Sequence, residues 1–185
     1  MDAHHKVEKV AGERGASSQE YLETLAAGPL AGFDRETFNR CLGDIYRTGL
    51  DPLSNELLFL KKGGKVTATE MYAGTTKRMR RDGITQVDVV YETLEDGDIA
   101  CKAILGRVRE DGHIETFSRT EYLSECQQQT GPWKQYPRKM LGHRAIMQTA
   151  RLACSVNLPS AEEYLEAGFE KPNGGEGLRI LGGAD

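Results

Sequence analysis

The chain has 185 residues, 38% of them hydrophobic, which suits one domain with a real core; the net charge is −4, from 24 Lys and Arg against 28 Asp and Glu. No apolar run is long enough to span a bilayer and no charged-then-apolar leader opens at Met1, so neither a membrane protein nor a secreted one is expected. Cys41, Cys101, Cys126 and Cys154 lie far apart without a C-x-x-C pair, which argues against a zinc site and for buried, reduced thiols in a cytoplasmic protein.

Residues 1–32 are polar and at first Gly-rich, and read as a partly flexible arm with a short helix over Ser18 to Ala27; His4 and His5 receive no role. A helix then opens at Asp34, a good N-cap, with Phe38, Cys41, Leu42, Ile45 and Tyr46 as its apolar stripe and Gly49 as its stop. Pro52 marks the break. Glu56 to Lys62 and Lys65 to Glu70 read as strands joined through Gly63-Gly64, a two-residue hairpin that carries Lys61, Lys62 and Lys65 at its tip. The GGKVT run there lacks the spaced upstream glycine of a phosphate-cradling loop, and no Walker-type or dinucleotide fingerprint occurs elsewhere, so no nucleotide cofactor is expected.

Met71 to Arg81 predicts a helix ending at Gly83, whose last turn holds Lys77, Arg78, Arg80 and Arg81, where cations also suit the helix dipole. From Ile84 the period becomes two: Val87, Val89 and Tyr91 face one way, Asp96-Gly97 turns the chain, Ile99 to Arg109 is a strand, Asp111-Gly112 turns again and His113 to Phe117 is a third antiparallel strand. Ser118 with Glu121 reads as a capping box for a helix over Arg119 to Gln128. Ser160 with Glu163 caps a last helix to about Ala167, and the chain is Gly-rich beyond Phe169.

Between these lies the stretch from Thr130 to Cys154, a Gly-Pro-Trp turn followed by a helix that Pro137 suits as first residue. At about 100° per residue, Leu141, Ala145, Thr149 and Leu152 with Gly142 form a packing seam, while Met140, Arg144, Met147 and Arg151 line the opposite face beside Lys139 and His143. No Asp or Glu occurs between Cys126 and Ala161, whereas Lys134, Arg138, Lys139, Arg144 and Arg151 do; a basic patch in an acidic protein is the footprint expected for a polyanion. Trp133 reads as a core plug, with base stacking as the alternative. The elements together predict an α+β fold: a β-hairpin and a three-stranded antiparallel sheet packed with helices, one of them long and basic.

The run TGPWKQYPRKMLGHRAIMQTARLA, with SRTEYLSEC (Ser118 to Cys126) upstream of it and TGLDPLSNELLFL (Thr48 to Leu60) earlier, resembles the phage Red-beta/RecT family of single-strand annealing proteins, on the Red-beta side of that family. The resemblance covers Phe33 to Ala167. It implies an annealing core over 33–168 between the arm and a flexible tail over 169–185. It further implies a cytoplasmic protein in a bacterial host that takes part in DNA recombination and repair. There it would bind single-stranded DNA and pair it with its complement without ATP, metal or catalysis, assembling as a homo-oligomeric ring or helical filament that also holds the annealed duplex intermediate. The family's basic positions map to Arg138, Lys139, Arg144 and Arg151, with His143 beside them. The resemblance also favours Lys77, Arg78, Arg80 and Arg81 as a second basic wall, with Lys61 and Lys65 added from the hairpin. Met147, with Met140, would wedge against bases or sugars without demanding a sequence.

Two departures from the family pattern stand out. Gln127, Gln128, Gln129 and Thr130 replace a longer basic loop, and the core is followed by no counterpart of the C-terminal domain through which the family recruits a phage exonuclease and the host single-strand-binding protein, which puts both partners in doubt. Two alternatives come from other classes. One is a module that protects single strands without annealing them. The other is a magnesium-dependent nuclease built on Asp88, Glu92, Asp96 and Asp98 with Lys102, although these residues fall on a hairpin turn and on the polar phase of a strand.

Overall fold

A computed structural model describes residues 2–129 and 131–154, together with Leu158, Tyr164, Phe169 and Glu170. The fold is α+β, and the chain divides into two compact units, Met1–Thr69 with Ala161–Asp185, and Glu70–Ser160. Among the described residues no helix is long and apolar enough to cross a membrane.

The first unit begins with helices α1 (Ala3–Glu13) and α2 (Ser18–Ala27). The short helix expected over Ser18 to Ala27 is α2, and α1 precedes it where the sequence reading named no helix: Val7, Val10 and Ala11 of α1 and Tyr21 and Leu25 of α2 are buried, and α1 packs on both α2 and α3 (Arg35–Thr48). The polar composition hid an amphipathic pattern with few apolar residues, all on one face. Ser17 and Glu20 form a reciprocal capping box that starts α2. Asp34 caps α3 through the Thr37 N–H at 2.8 Å, and Gly49 closes it, while Tyr46 lies outside the stripe and is exposed.

Asp51 is the polar hub of this unit. Its buried carboxylate accepts from Tyr21 Oη at 2.6 Å, Arg14 Nη1 at 2.8 Å, Ser54 Oγ at 2.7 Å and the Leu53 N–H at 2.9 Å. Burial by itself would raise this carboxyl, but the hydrogen bonds from Tyr21, Ser54 and Arg14 hold it below the ordinary aspartate value. Strands β1 (Leu57–Lys62) and β2 (Lys65–Glu70) follow as the expected hairpin, with Gly63 at φ 53° and Gly64 at φ 81°, the left-handed pair that a tight hairpin turn requires. Lys61 also exchanges backbone hydrogen bonds with Glu170 at 2.7 and 2.8 Å, so Glu170 of the expected tail is paired with β1. The helix expected from Ser160 to Ala167, apart from Tyr164, and the rest of the tail lie outside the described residues.

The second unit carries α4 (Tyr72–Arg81), the sheet β3 (Ile84–Thr93), β4 (Ile99–Val108) and β5 (Ile114–Tyr122), then α5 (Leu123–Cys126), α6 (Gly131–Gln135) and α7 (Pro137–Ala153). The sheet is antiparallel in the order β3-β4-β5. α7 lies across β4 and β5, and Leu141, Ala145, Ile146, Ala150 and Ala153 meet Cys101, Ala103 and Leu105 in one core with Met79, Ile84 and Trp133. Alanine at three of those helix positions lets the helix backbone approach the sheet closely.

Several expectations change in this unit. The helix expected over Arg119 to Gln128 begins as strand: β5 runs on to Tyr122, with Thr120 opposite Lys102 and Glu121 opposite Cys101, and only Leu123–Cys126 is helical. The Ser118 and Glu121 pattern would suit a cap, but nine residues paired along the central strand outweigh that local preference. The Gly-Pro-Trp turn is the short helix α6, with Trp133 buried as the plug. Leu152, expected in the seam, is 55% exposed, and Ile146 and Ala150 take the contact instead. Val87 is 46% exposed although it lies opposite buried Leu105, on the face it shares with Val89 and Tyr91, because β3 is an edge strand and α7 lies across β4 and β5.

Candidate nucleic-acid interface

The first turn of α7 carries two exposed basic side chains. Pro137 stands at the first helical position, Arg138 and Lys139 are exposed, and Lys134 is exposed on α6 just before them. Among the described residues neither Arg138 nor Lys139 is ion-paired. The Arg138 guanidinium instead lies 4.5 Å from the centroid of the Tyr91 ring, and Tyr91 Oη donates to the Arg138 carbonyl at 3.0 Å. That approach depends on Gly142, since a Cβ there would sit 2.3 Å from Tyr91 Oη. One turn on, His143 stacks on Tyr72 of α4, with ring centroids 4.2 Å apart and planes within 15°. Burial, then the charge of Lys139, holds its imidazole below the usual histidine value, so it is neutral near pH 7.

Further along α7 the expected stripe turns inward. Arg144 Nε donates to Glu121 Oε2 at 3.3 Å, while Glu121 Oε1 accepts from Arg119 Nε at 2.9 Å; Glu121 reaches this place because it faces inward from β5 opposite Cys101. Cys126 Sγ is a further neighbour at 3.6 Å, and burial pushes its thiol up to about 11. Arg151 donates to Gln148 Oε1 at 3.2 Å and to the Leu158 carbonyl at 3.4 Å. Met140 packs against the core and Met147 is 8% exposed, so an open line of thioethers is corrected to interior packing. The reason is that α4 covers this side of α7.

α4 runs beside α7 in the same direction: Tyr72 meets His143, and Thr75 and Arg78 line a small cavity with Met147, Ala150 and Arg151. Arg78 therefore faces inward, where Nη2 and Nε donate to the two Glu70 carboxylate oxygens at 2.8 and 3.2 Å in a pair that is 2% and 6% exposed. This removes Arg78 from the open basic wall. Arg80 and Arg81 are exposed at the end of α4, Arg81 with Asp82 at 3.5 Å, and Lys77 is half-buried. Thirteen residues at about 1.5 Å rise separate Arg138 from Arg151, and Arg78 of α4 lies beside Arg151, so the exposed Arg138 and Lys139 and the exposed Arg80 and Arg81 sit roughly 20 Å apart along the helix pair. Lys61 and Lys65 are exposed in the hairpin of the first unit.

A model of the RecT family matches residues 16–173. The chain belongs to the RecT family, whose members are single-strand annealing proteins. The RecT match takes in α2 and every later described element, and leaves α1 outside it. Comparison with curated proteins gives no match. Within this RecT-family chain, Tyr72, Tyr91 and Glu121 contact the candidate residues His143, Arg138 and Arg144, and Gly142 makes room for Tyr91; sequence reasoning gave none of these four a place at the site. Alternation along β3 put Tyr91 on one face with Val87 and Val89, and the helical period put Gly142 in the packing seam of α7; which partners these residues meet is set by tertiary packing.

The carboxylates weighed for a nuclease do not converge. Asp88 and Glu92 are exposed on the outward face of β3 with Lys102 opposite Val90, whereas Asp98 accepts from Ser124 Oγ at 2.5 Å. Among the described residues no group of three or more His, Cys, Asp or Glu side chains is placed to hold a metal.

Proposed function

We infer that this RecT-family chain binds single-stranded DNA by its phosphates and anneals it to a complementary strand without nucleotide or metal, as a recombinase of the Red-beta type in a phage or prophage setting. Arg138 and Lys139 carry the reading: they are exposed and without carboxylate partners among the described residues, in a segment that holds no acidic residue. Phosphate contacts position a strand without reading its sequence, and they leave the Watson–Crick edges open for pairing. Lys134, Arg80 and Arg81 extend the basic strip; at about 3.4 Å per phosphate of a B-form strand, 20 Å accommodates roughly six phosphates. Arg144 and Arg151 support the strip from its inner edge, their side chains tied to Glu121 and Gln148. Lys77 joins this set within the second unit, and Lys61 and Lys65 of the hairpin are proposed as phosphate contacts of the first unit by itself.

The active form in this reading is a homo-oligomer on DNA in the bacterial cytoplasm. Fluorescence-monitored pairing of two complementary oligonucleotides, without nucleotide or divalent metal, tests the proposal. Rapid pairing is expected. Tight binding that slows pairing would point to a protecting module, and degradation confined to magnesium-containing samples would point to a nuclease.

A further inference from the structure

We propose that Tyr91 is a positioning residue for DNA binding, holding the Arg138 guanidinium and the first turn of α7 in the geometry that receives a phosphate. The inference rests on the function proposed above and adds a residue that carries no charge itself. Three observations converge on it. The Arg138 guanidinium lies over the Tyr91 ring at 4.5 Å, so the electron-rich face of the ring attracts the cation. Tyr91 Oη donates to the main-chain carbonyl of the same Arg138 at 3.0 Å, so one side chain grips both ends of that residue. Gly142, one turn later, leaves the space that the hydroxyl occupies.

The ring is itself held. Tyr91 lies opposite Cys101 in the β3–β4 ladder and packs against the core, so its position follows the sheet rather than the helix. An arginine on a free surface samples many rotamers and loses that freedom when it meets a phosphate. One already laid against a fixed ring loses less, and its planar fork keeps donors for the strand. Lys139, the adjacent exposed cation, has no such ring contact among the described residues and serves as the internal comparison.

The test is equilibrium binding of a labelled oligo-dT strand to the full chain across a salt series. Arg138→Ala should lower the salt slope by about 0.7, one phosphate contact on a single strand. Tyr91→Leu should weaken binding about three- to fivefold in the wild-type background and have almost no effect in the Arg138→Ala background. Tyr91→Phe, which keeps the ring, should recover most of the affinity lost in Tyr91→Leu. Gly142→Ala, which displaces the hydroxyl and leaves both partner side chains chemically intact, should reproduce part of the loss and carries the test if Tyr91→Leu does not fold.

Equal losses from the tyrosine change in the two backgrounds would overturn the proposal, because Tyr91 would then act through general packing. So would unchanged binding in both Tyr91→Leu and Gly142→Ala. If Arg138→Ala left the slope intact while Lys139→Ala lowered it, the positioning role would fail and phosphate binding would stand. No binding of oligo-dT by the wild-type chain would remove both.

Discussion

Arg144 of α7 and Glu121 of β5 are joined across the core edge by a hydrogen bond of 3.3 Å, with Arg119 on the other carboxylate oxygen at 2.9 Å. One carboxylate thus stands between two guanidinium groups, and the local balance remains positive. Glu121→Gln removes the negative charge and keeps one acceptor. Single-strand affinity is expected to rise and the salt slope to steepen by up to about 0.7, since Arg144 is released toward phosphate. Stability should fall by roughly 1–2 kcal/mol, because a buried charge-assisted bond is weakened. Paired urea melts and salt-series binding check both signs, and weaker binding by the folded variant would show that Glu121 orients Arg144 rather than withholding it.

Met147 gives a contrast within the same helix. It is buried against α4, so Met147→Ala should cost about 2–4 kcal/mol of stability and leave the salt slope of the folded protein unchanged. Chemical denaturation measures the first quantity and oligonucleotide titration the second. A full loss of annealing at unchanged stability would return Met147 to the DNA-contacting face.

Arg78 and Glu70 should behave as a unit. Removing either partner of so deeply buried a pair leaves an uncompensated charge, so Arg78→Ala or Glu70→Ala should each destabilise by about 3–5 kcal/mol. The double change Glu70→Leu with Arg78→Met should cost less than the two single losses combined. Additive losses in a double-mutant cycle would show that the two residues do not depend on each other.

Asp51 and Tyr21 predict the pH limits of the first unit. The Asp51 carboxyl is held below its unfolded value of about 3.9, so its contribution is present above that pH and lost as pH falls through the lower folded value. Tyr21 is shifted the other way: burial, then its hydrogen bond to Asp51, raises its phenol, so its contribution is present below its unfolded value of about 10 and declines above it. Asp51→Asn should therefore flatten the acid limb of a stability-versus-pH curve and cost roughly 3 kcal/mol near neutrality, through the donors left without a charged acceptor. An unchanged acid limb would place that sensitivity on other carboxylates.

Much of this molecule was legible in local chemistry. The Asp34 cap and Gly49 stop of α3, the Gly63-Gly64 hairpin, Pro137 at the head of α7 and the turns at Gly97 and Gly112 each depend on backbone groups a few residues apart, and each stands where the sequence placed it. The segregated charge after Cys126 was equally plain, because composition survives folding unchanged. What the sequence left open was which side of each element another element would cover. α7 has basic and apolar residues around most of its circumference, so its open side was decided by α4 and the sheet: these packed Met147 and Arg78 inward and left Arg138 and Lys139 outward. Residues 119–122 joined β5 because β4 supplied a strand partner, an interaction between residues far apart in the chain that no cap pattern encodes. Tyr91 is separated from Arg138 by 47 positions and Glu121 from Arg144 by 23, and only the packing of α7 onto the sheet brings each pair within reach.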